Sequence, residues 1–127
     1  MKLRILDNSI RLRLSQSEVR TLATAGRVAA FVHFPGGKSL CYSLESSDTL
    51  EDIEATLEDQ TMIVKMPSAL ASEWAENNTI SLRASNALSG QEALSILIEK
   101  DFKCLTDRPH EDESDLFPHP KEEDVAC

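Results

Sequence analysis

Aromatic residues are scarce: one Trp, one Tyr and four Phe in 127 residues. That is too few for the stacking platforms on which proteins hold single-stranded nucleic acid. Basic residues are outnumbered, 13 Lys+Arg against 22 Asp+Glu, for a formal net charge of −9. Such a balance excludes a surface built to neutralise a phosphate backbone, so nucleic acid is not an expected partner. No apolar run approaches the roughly 18 residues of a membrane-spanning helix, and no membrane partner is expected. Residues 1–14 scatter charges among apolar side chains, which does not read as a signal peptide. Cys41, Cys104 and Cys127 form no C-x-x-C pair, which excludes a zinc knuckle or a thioredoxin-like motif. Reduced thiols in a cytoplasmic protein are the expectation.

What is present is the composition of one globular domain, 41% apolar and 28% charged. The charge is unevenly placed. Residues 107–127 hold eight acids against Arg108 and Lys121, whereas 1–106 is nearly balanced. With Pro109, Pro118 and Pro120 blocking regular structure, 107–127 reads as an acidic irregular or disordered tail on a domain spanning 1–106.

Period-two alternation dominates the domain. Lys2–Leu6 and Ser9–Leu14 flank Asp7-Asn8, a two-residue turn. Ser15 to Glu18 forms a capping box that opens a short helix ending at Gly26. Strands are predicted over Arg27–Phe34, Ser39–Glu45, Ile53–Glu58 and Thr61–Met66, with Pro35-Gly36-Gly37 as a turn. Pro67 suits the first turn of a second helix, Ser68–Glu76, and strands Thr79–Ser85 and Ala93–Phe102 complete the domain. At an offset of 52, Ser9–Val32 repeats as Thr61–Ala84 in strand–helix–strand order. The expected fold is α+β: an antiparallel, strongly bent or barrel-like sheet of about eight strands with two short helices, because a long open sheet would leave edges unprotected.

The first hairpin carries the most specific signal. A two-residue turn makes Leu3 face Leu12 and Ile5 face Ile10 on one side, with Arg4 facing Arg11 and Lys2 facing Arg13 on the other. Like charges directly opposite each other destabilise a sheet, so four cations on one face call for anions. Lys65 and Arg83, on later strands, could extend the row, and Glu99 with Asp101 could answer it. If the sheet curls with this side inward, the charges line a channel in which arginines grip phosphate bidentately; if it curls outward, they form a solvated face with modest ion pairs. Elsewhere the ordinary readings are preferred: Cys41 and Trp74 as core residues, Gly36-Gly37-Lys38 as a plain loop, and His33, His110 and His119 without convergent spacing. The acidic run Glu111–Asp115 lacks the glycine and spacing of a calcium loop; it reads as a solvated run or as an internal anion for the cationic hairpin.

Two resemblances add to this. Asn8-Ser9-Ile10-Arg11-Leu12-Arg13-Leu14, Leu94–Leu105 and Glu111–Pro118 together resemble a domain of unknown function found in small bacterial proteins of about this length. The resemblance implies a bacterial cytosolic protein and brings no activity with it. The duplicated strand–helix–strand plan, closing a charge-lined barrel, is similar to the triphosphate-tunnel (CYTH) phosphatases and cyclases. Those enzymes hold a divalent metal with E-x-E-x-K on the first strand, where this chain reads Lys2-Leu3-Arg4. Two functions follow as expectations. The first is a binding or adaptor domain, without a cofactor, in which Lys2, Arg4, Arg11 and Arg13, assisted by Lys65 and Arg83, take a phosphate-containing small molecule or an acidic protein segment. The alternative, implied by the second resemblance, is a phosphohydrolase with Glu99 and Asp101 as magnesium ligands.

Overall fold

A computed structural model describes residues 1–102 and 114–118. The chain runs β1 (Lys2–Leu6), β2 (Ser9–Leu14), α1 (Gln16–Ala25), β3 (Arg27–Phe34), β4 (Lys38–Ser47), β5 (Glu54–Glu58), β6 (Thr61–Pro67), α2 (Ser68–Glu76), β7 (Ser81–Leu88) and β8 (Gln91–Lys100). Local chemistry accounts for the boundaries. Ser15 takes up extended backbone and its Oγ accepts from Glu18 N, while Glu18 Oε1 accepts from Ser15 N at 2.9 Å, so the capping box forms as predicted. Helix α1 stops at Gly26 with φ +81°, and a Cβ there would lie 3.1 Å from Ser46 Oγ. Helix α2 differs: Pro67 caps it as the last residue of β6, with no side-chain hydrogen bond to its first turn.

The repeat is larger than strand–helix–strand. Each half is two strands, a helix and two strands, and the turn residues Asp7 (φ +48°) and Asp59 (φ +52°) occupy equivalent positions. The register of the halves drifts after the helices, because Asn77–Ile80 connects α2 to β7 where Gly26 alone connects α1 to β3. That connection explains why β7 starts at Ser81 rather than Thr79.

The halves are interleaved. One four-stranded sheet has the order β1-β2-β8-β7 and the other β3-β4-β6-β5, so each contains one hairpin from each half. The hairpin pairs are antiparallel, but the joints between halves, β2 with β8 and β4 with β6, are parallel. The sheets are therefore mixed, not purely antiparallel, and alternation cannot reveal this because period two is the same in either direction. Nor do they close into a barrel. Where β5 approaches β7, Asn86 takes the place of a ladder: its Oδ1 accepts from Ala55 N at 2.9 Å and its Nδ2 donates to Ile53 O at 3.0 Å. Side-chain bonds at this point, beside a register shift at Asn86 to Leu88, hold the sheets together without zipping them.

One core joins both sheets and both helices. Leu12, Leu14, Ile98, Leu44, Val64 and Met66 from the strands meet Val19, Leu22, Ala71 and Trp74 from the helices. Trp74 is fully buried, as expected of a core anchor, and its Nε1 donates to Thr79 O at 2.9 Å. Cys41 is half-buried on the side of β4 facing away from the core, opposite Phe31 and Thr61, and is not a core residue. Among the described residues no helix is long and apolar enough to cross a membrane.

Candidate functional site

The hairpin register is the one that a two-residue turn demands: Lys2 opposite Arg13, Leu3 opposite Leu12, Arg4 opposite Arg11, Ile5 opposite Ile10. Sheet pairing then continues each row over four strands. On the face turned away from the core, one row reads Lys2, Arg13, Glu99, Ser81. The next reads Arg4, Arg11, Leu97, Arg83, and the third Leu6, Ser9, Ser95, Ser85. Five of the cations singled out in the sequence thus share one surface. Lys65 does not: it stands between Glu54 and Glu45 in the other sheet. The charged face is an outer face, not the lining of a channel.

The cations of the first row are met by buried carboxylates. Glu99, 8% exposed, receives Arg11 through Nε and NH2, and Arg13 Nε lies 3.1 Å from its Oε1. Asp101, 2% exposed, pairs with Lys2 Nζ at 2.9 Å through Oδ2. Arg13 Nε is 3.9 Å from Asp101 Oδ1, and these two buried atoms have no hydrogen-bond partner. Two carboxylates among three cations answer the like-charge opposition across the hairpin. They also set these acids among three cations, whose charge opposes a divalent metal: Arg11 and Arg13 hold Glu99 Oε1, and Lys2 holds Asp101 Oδ2. Among the described residues no three His, Cys, Asp or Glu side chains converge. With E-x-E-x-K absent and the barrel open, the residues do not fit a triphosphate-tunnel metal centre.

The second and third rows are different. They floor a concavity of about 620 Å³ lined by Arg4, Arg11 and Arg83 with Ser9, Ser85 and Ser95. Among the described residues Arg4 and Arg83 have no ion-pair partner, and both are exposed. The internal repeat supplies a control surface. At the matching row of the other sheet stand Thr56, Ile63, Ser43 and Ala29, which carry no charge. The row beside it, Glu54, Lys65, Glu45 and Arg27, alternates in sign and balances itself. A generic solvated sheet face of this fold therefore need not be cationic; the arginine row belongs to one sheet only.

Sequence reasoning missed a second feature. Residues 114–118 pack on the body beside the start of α1. Gln16 N donates to Asp115 O at 3.0 Å, Gln16 Nε2 donates to Leu116 O at 2.9 Å, and Ser17 donates to the Asp115 carboxylate through both N and Oγ. Those bonds, above all the one from the Ser17 hydroxyl, hold the Asp115 carboxyl below its ordinary value. Leu116 is buried, Phe117 N donates to Asp101 O at 2.9 Å, and the Phe117 ring lies 5.5 Å from that of Phe102. Beneath sits Lys100, 5% exposed, donating to Asn77 O at 2.7 Å between the rings of Trp74 and Phe117. Burial pulls its ammonium below the ordinary lysine value. The signal was available: Leu116-Phe117 is an apolar island in an acidic stretch. Glu111–Glu113, considered above as an internal anion, lie outside the described residues.

The fold and this face define a duplicated two-sheet α+β domain with a cationic row on one sheet. The chain belongs to DUF7009, a family of unknown function, whose model matches residues 1–121. Comparison with curated proteins and with solved structures finds no match.

Proposed function

We propose that the chain is a non-enzymatic binding domain of the cytoplasm whose arginine row takes an anion, a phosphate-containing small molecule or an acidic segment. The observation that carries this reading is the concavity floored by Arg4, Arg11 and Arg83, two of them unpaired among the described residues, in a protein of net charge −9. Planar guanidiniums over serine hydroxyls supply bidentate donors and adaptable secondary bonds, the chemistry that recognises phosphate and carboxylate oxygens. Lys2, Arg13, Glu99 and Asp101 act as the scaffold that fixes Arg11 in place. Thermal melting at low salt with millimolar inorganic phosphate, without magnesium, tests the reading. A ligand at 100 times its Kd adds about 2.7 kcal/mol, several degrees for a domain of this size. The wild type and Lys65→Ala should shift and Arg4→Ala should not; equal behaviour of all three proteins refutes it.

A further inference from the structure

The order of side chains along the row says more about the ligand than its charge does. Arg4 and Arg11 are neighbours on β1 and β2, Leu97 follows on β8, and Arg83 stands beyond it on β7. Adjacent strands are about 4.8 Å apart, which puts the Arg11 and Arg83 backbones about 10 Å apart with Leu97 midway. The row is thus two cationic poles separated by an apolar floor. Leu97 is half-buried, and Leu6 adds a second apolar side chain at the rim of the concavity. Hydroxyls of Ser9, Ser95 and Ser85 line the neighbouring row and give polar contacts along the whole span.

From this arrangement, and resting on the binding role proposed above, we infer that the site takes an elongated dianion: two carboxylate or phosphate groups held apart by a flat or apolar body. One anionic group sits at Arg4 and Arg11, where Glu99 engages Arg11 but not Arg4. The other sits at Arg83, and the body lies over Leu97. A contiguous polyphosphate fits less well. Its middle group would be set over the leucine, desolvated with no donor beneath it. A compact monoanion fills one pole and leaves the other bare. The matching row of the other sheet, Thr56, Ile63, Ser43 and Ala29, has neither pole.

Calorimetric titration of the full chain with biphenyl-4,4′-dicarboxylate, biphenyl-4-carboxylate and inorganic phosphate tests this. The dicarboxylate should bind about tenfold or more tighter than the monocarboxylate, as a second guanidinium pair of about 1.4 kcal/mol requires. Arg83→Gln, an exposed substitution that leaves the core untouched, should abolish that advantage and retain the monocarboxylate. Leu97→Gln should weaken both organic acids and leave phosphate unchanged. Equal binding of the two acids, or an advantage that survives Arg83→Gln, overturns the dianion inference; if phosphate still binds, the broader anion-binding role stands. Failure of all three anions to bind the wild type overturns both.

Discussion

Arg13 lies beside Glu99 across the parallel joint between β2 and β8, its Nε 3.1 Å from Glu99 Oε1, and Lys65 stands in register with Glu45 at the corresponding joint of the other sheet. In both places a cation from one half of the repeat meets an acid from the other. The joints differ in what surrounds them. Lys65 has Glu54 on its far side, whereas Arg13 has Lys2, so among the described residues Glu99 and Asp101 face three cations.

Glu99→Gln should therefore destabilise the domain. It leaves Arg11 and Arg13 facing Lys2 and Arg4 with one carboxylate remaining nearby. Breaking a buried pair costs about 3–5 kcal/mol, and since both arginines are about a third exposed, a loss of about 1–3 kcal/mol is expected. Lys65→Gln, in the balanced row, should change stability by less than about 0.5 kcal/mol. Urea unfolding of the two variants checks the contrast, and equal midpoints would show that the cluster around Glu99 is electrostatically inert.

The docking of residues 114–118 should be sensitive to acid. Asp115 is held below its ordinary value of 3.8 by hydrogen bonds that are stronger to the carboxylate than to the neutral acid. A depressed value in the docked state means that the stabilisation is fully present above 3.8 and is lost as pH falls below it. Amide exchange at Leu116 and Phe117 should accelerate in that window while Leu12 and Ile98 stay protected. Asp115→Asn should remove the acid dependence and expose the segment at neutral pH, and Ser17→Ala should weaken it in the same direction.

Much of this was legible in the sequence for one reason: local chemistry decides hairpins and caps. The Asp7-Asn8 turn sets the register from Lys2 to Arg13, and Ser15 with Glu18 sets the start of α1. What could not be read was which hairpin joins which. Alternation in β2 and β8 says that Leu12 and Ile98 face inward but not that their strands run parallel, and nothing local marks Asn86 as the side chain that bridges β7 to Ile53 and Ala55. The candidate site was visible as like charges in need of anions. Its position outside the core, and the exclusion of Lys65, followed only from the order of strands. Leu116 and Phe117 stood out as an apolar island, but the net charge of the acids around them argued for solvation.

Lys100 carries a third expectation. Its amine is buried with no carboxylate partner among the described residues, so the folded protein holds the proton less tightly than the unfolded chain does. A depressed lysine value means that the charge is a burden at neutral pH, relieved as pH rises toward the ordinary 10.5, where the unfolded chain also loses its proton. Lys100→Met keeps the length and the contacts with Trp74 and Phe117 and removes the buried charge. It should be as stable as the wild type or more so near neutrality, with the difference narrowing as pH approaches 10.5. A wild type that loses stability relative to Lys100→Met over that rise would mean that the ring contacts of the ammonium dominate.

The interleaved repeat makes the sharpest claim about folding. Residues 1–50 contain β1 to β4, yet β1–β2 and β3–β4 belong to different sheets, and each is completed only by a hairpin from 51–127. A two-stranded hairpin is marginal in water, and the one helix in each fragment cannot cover two hairpins that belong to different sheets. Expressed separately, the two fragments should show little protection and no cooperative melt. Mixed at equal concentration, they should assemble one to one, since the parallel joints β2–β8 and β4–β6, with Leu12 beside Ile98 and Leu44 beside Val64, all lie between them. The single Trp74 reports the event, moving from water to a fully buried site on α2. If 1–50 alone melted cooperatively as a monomer, the sheets would be self-sufficient within each half and the observed strand order would be wrong.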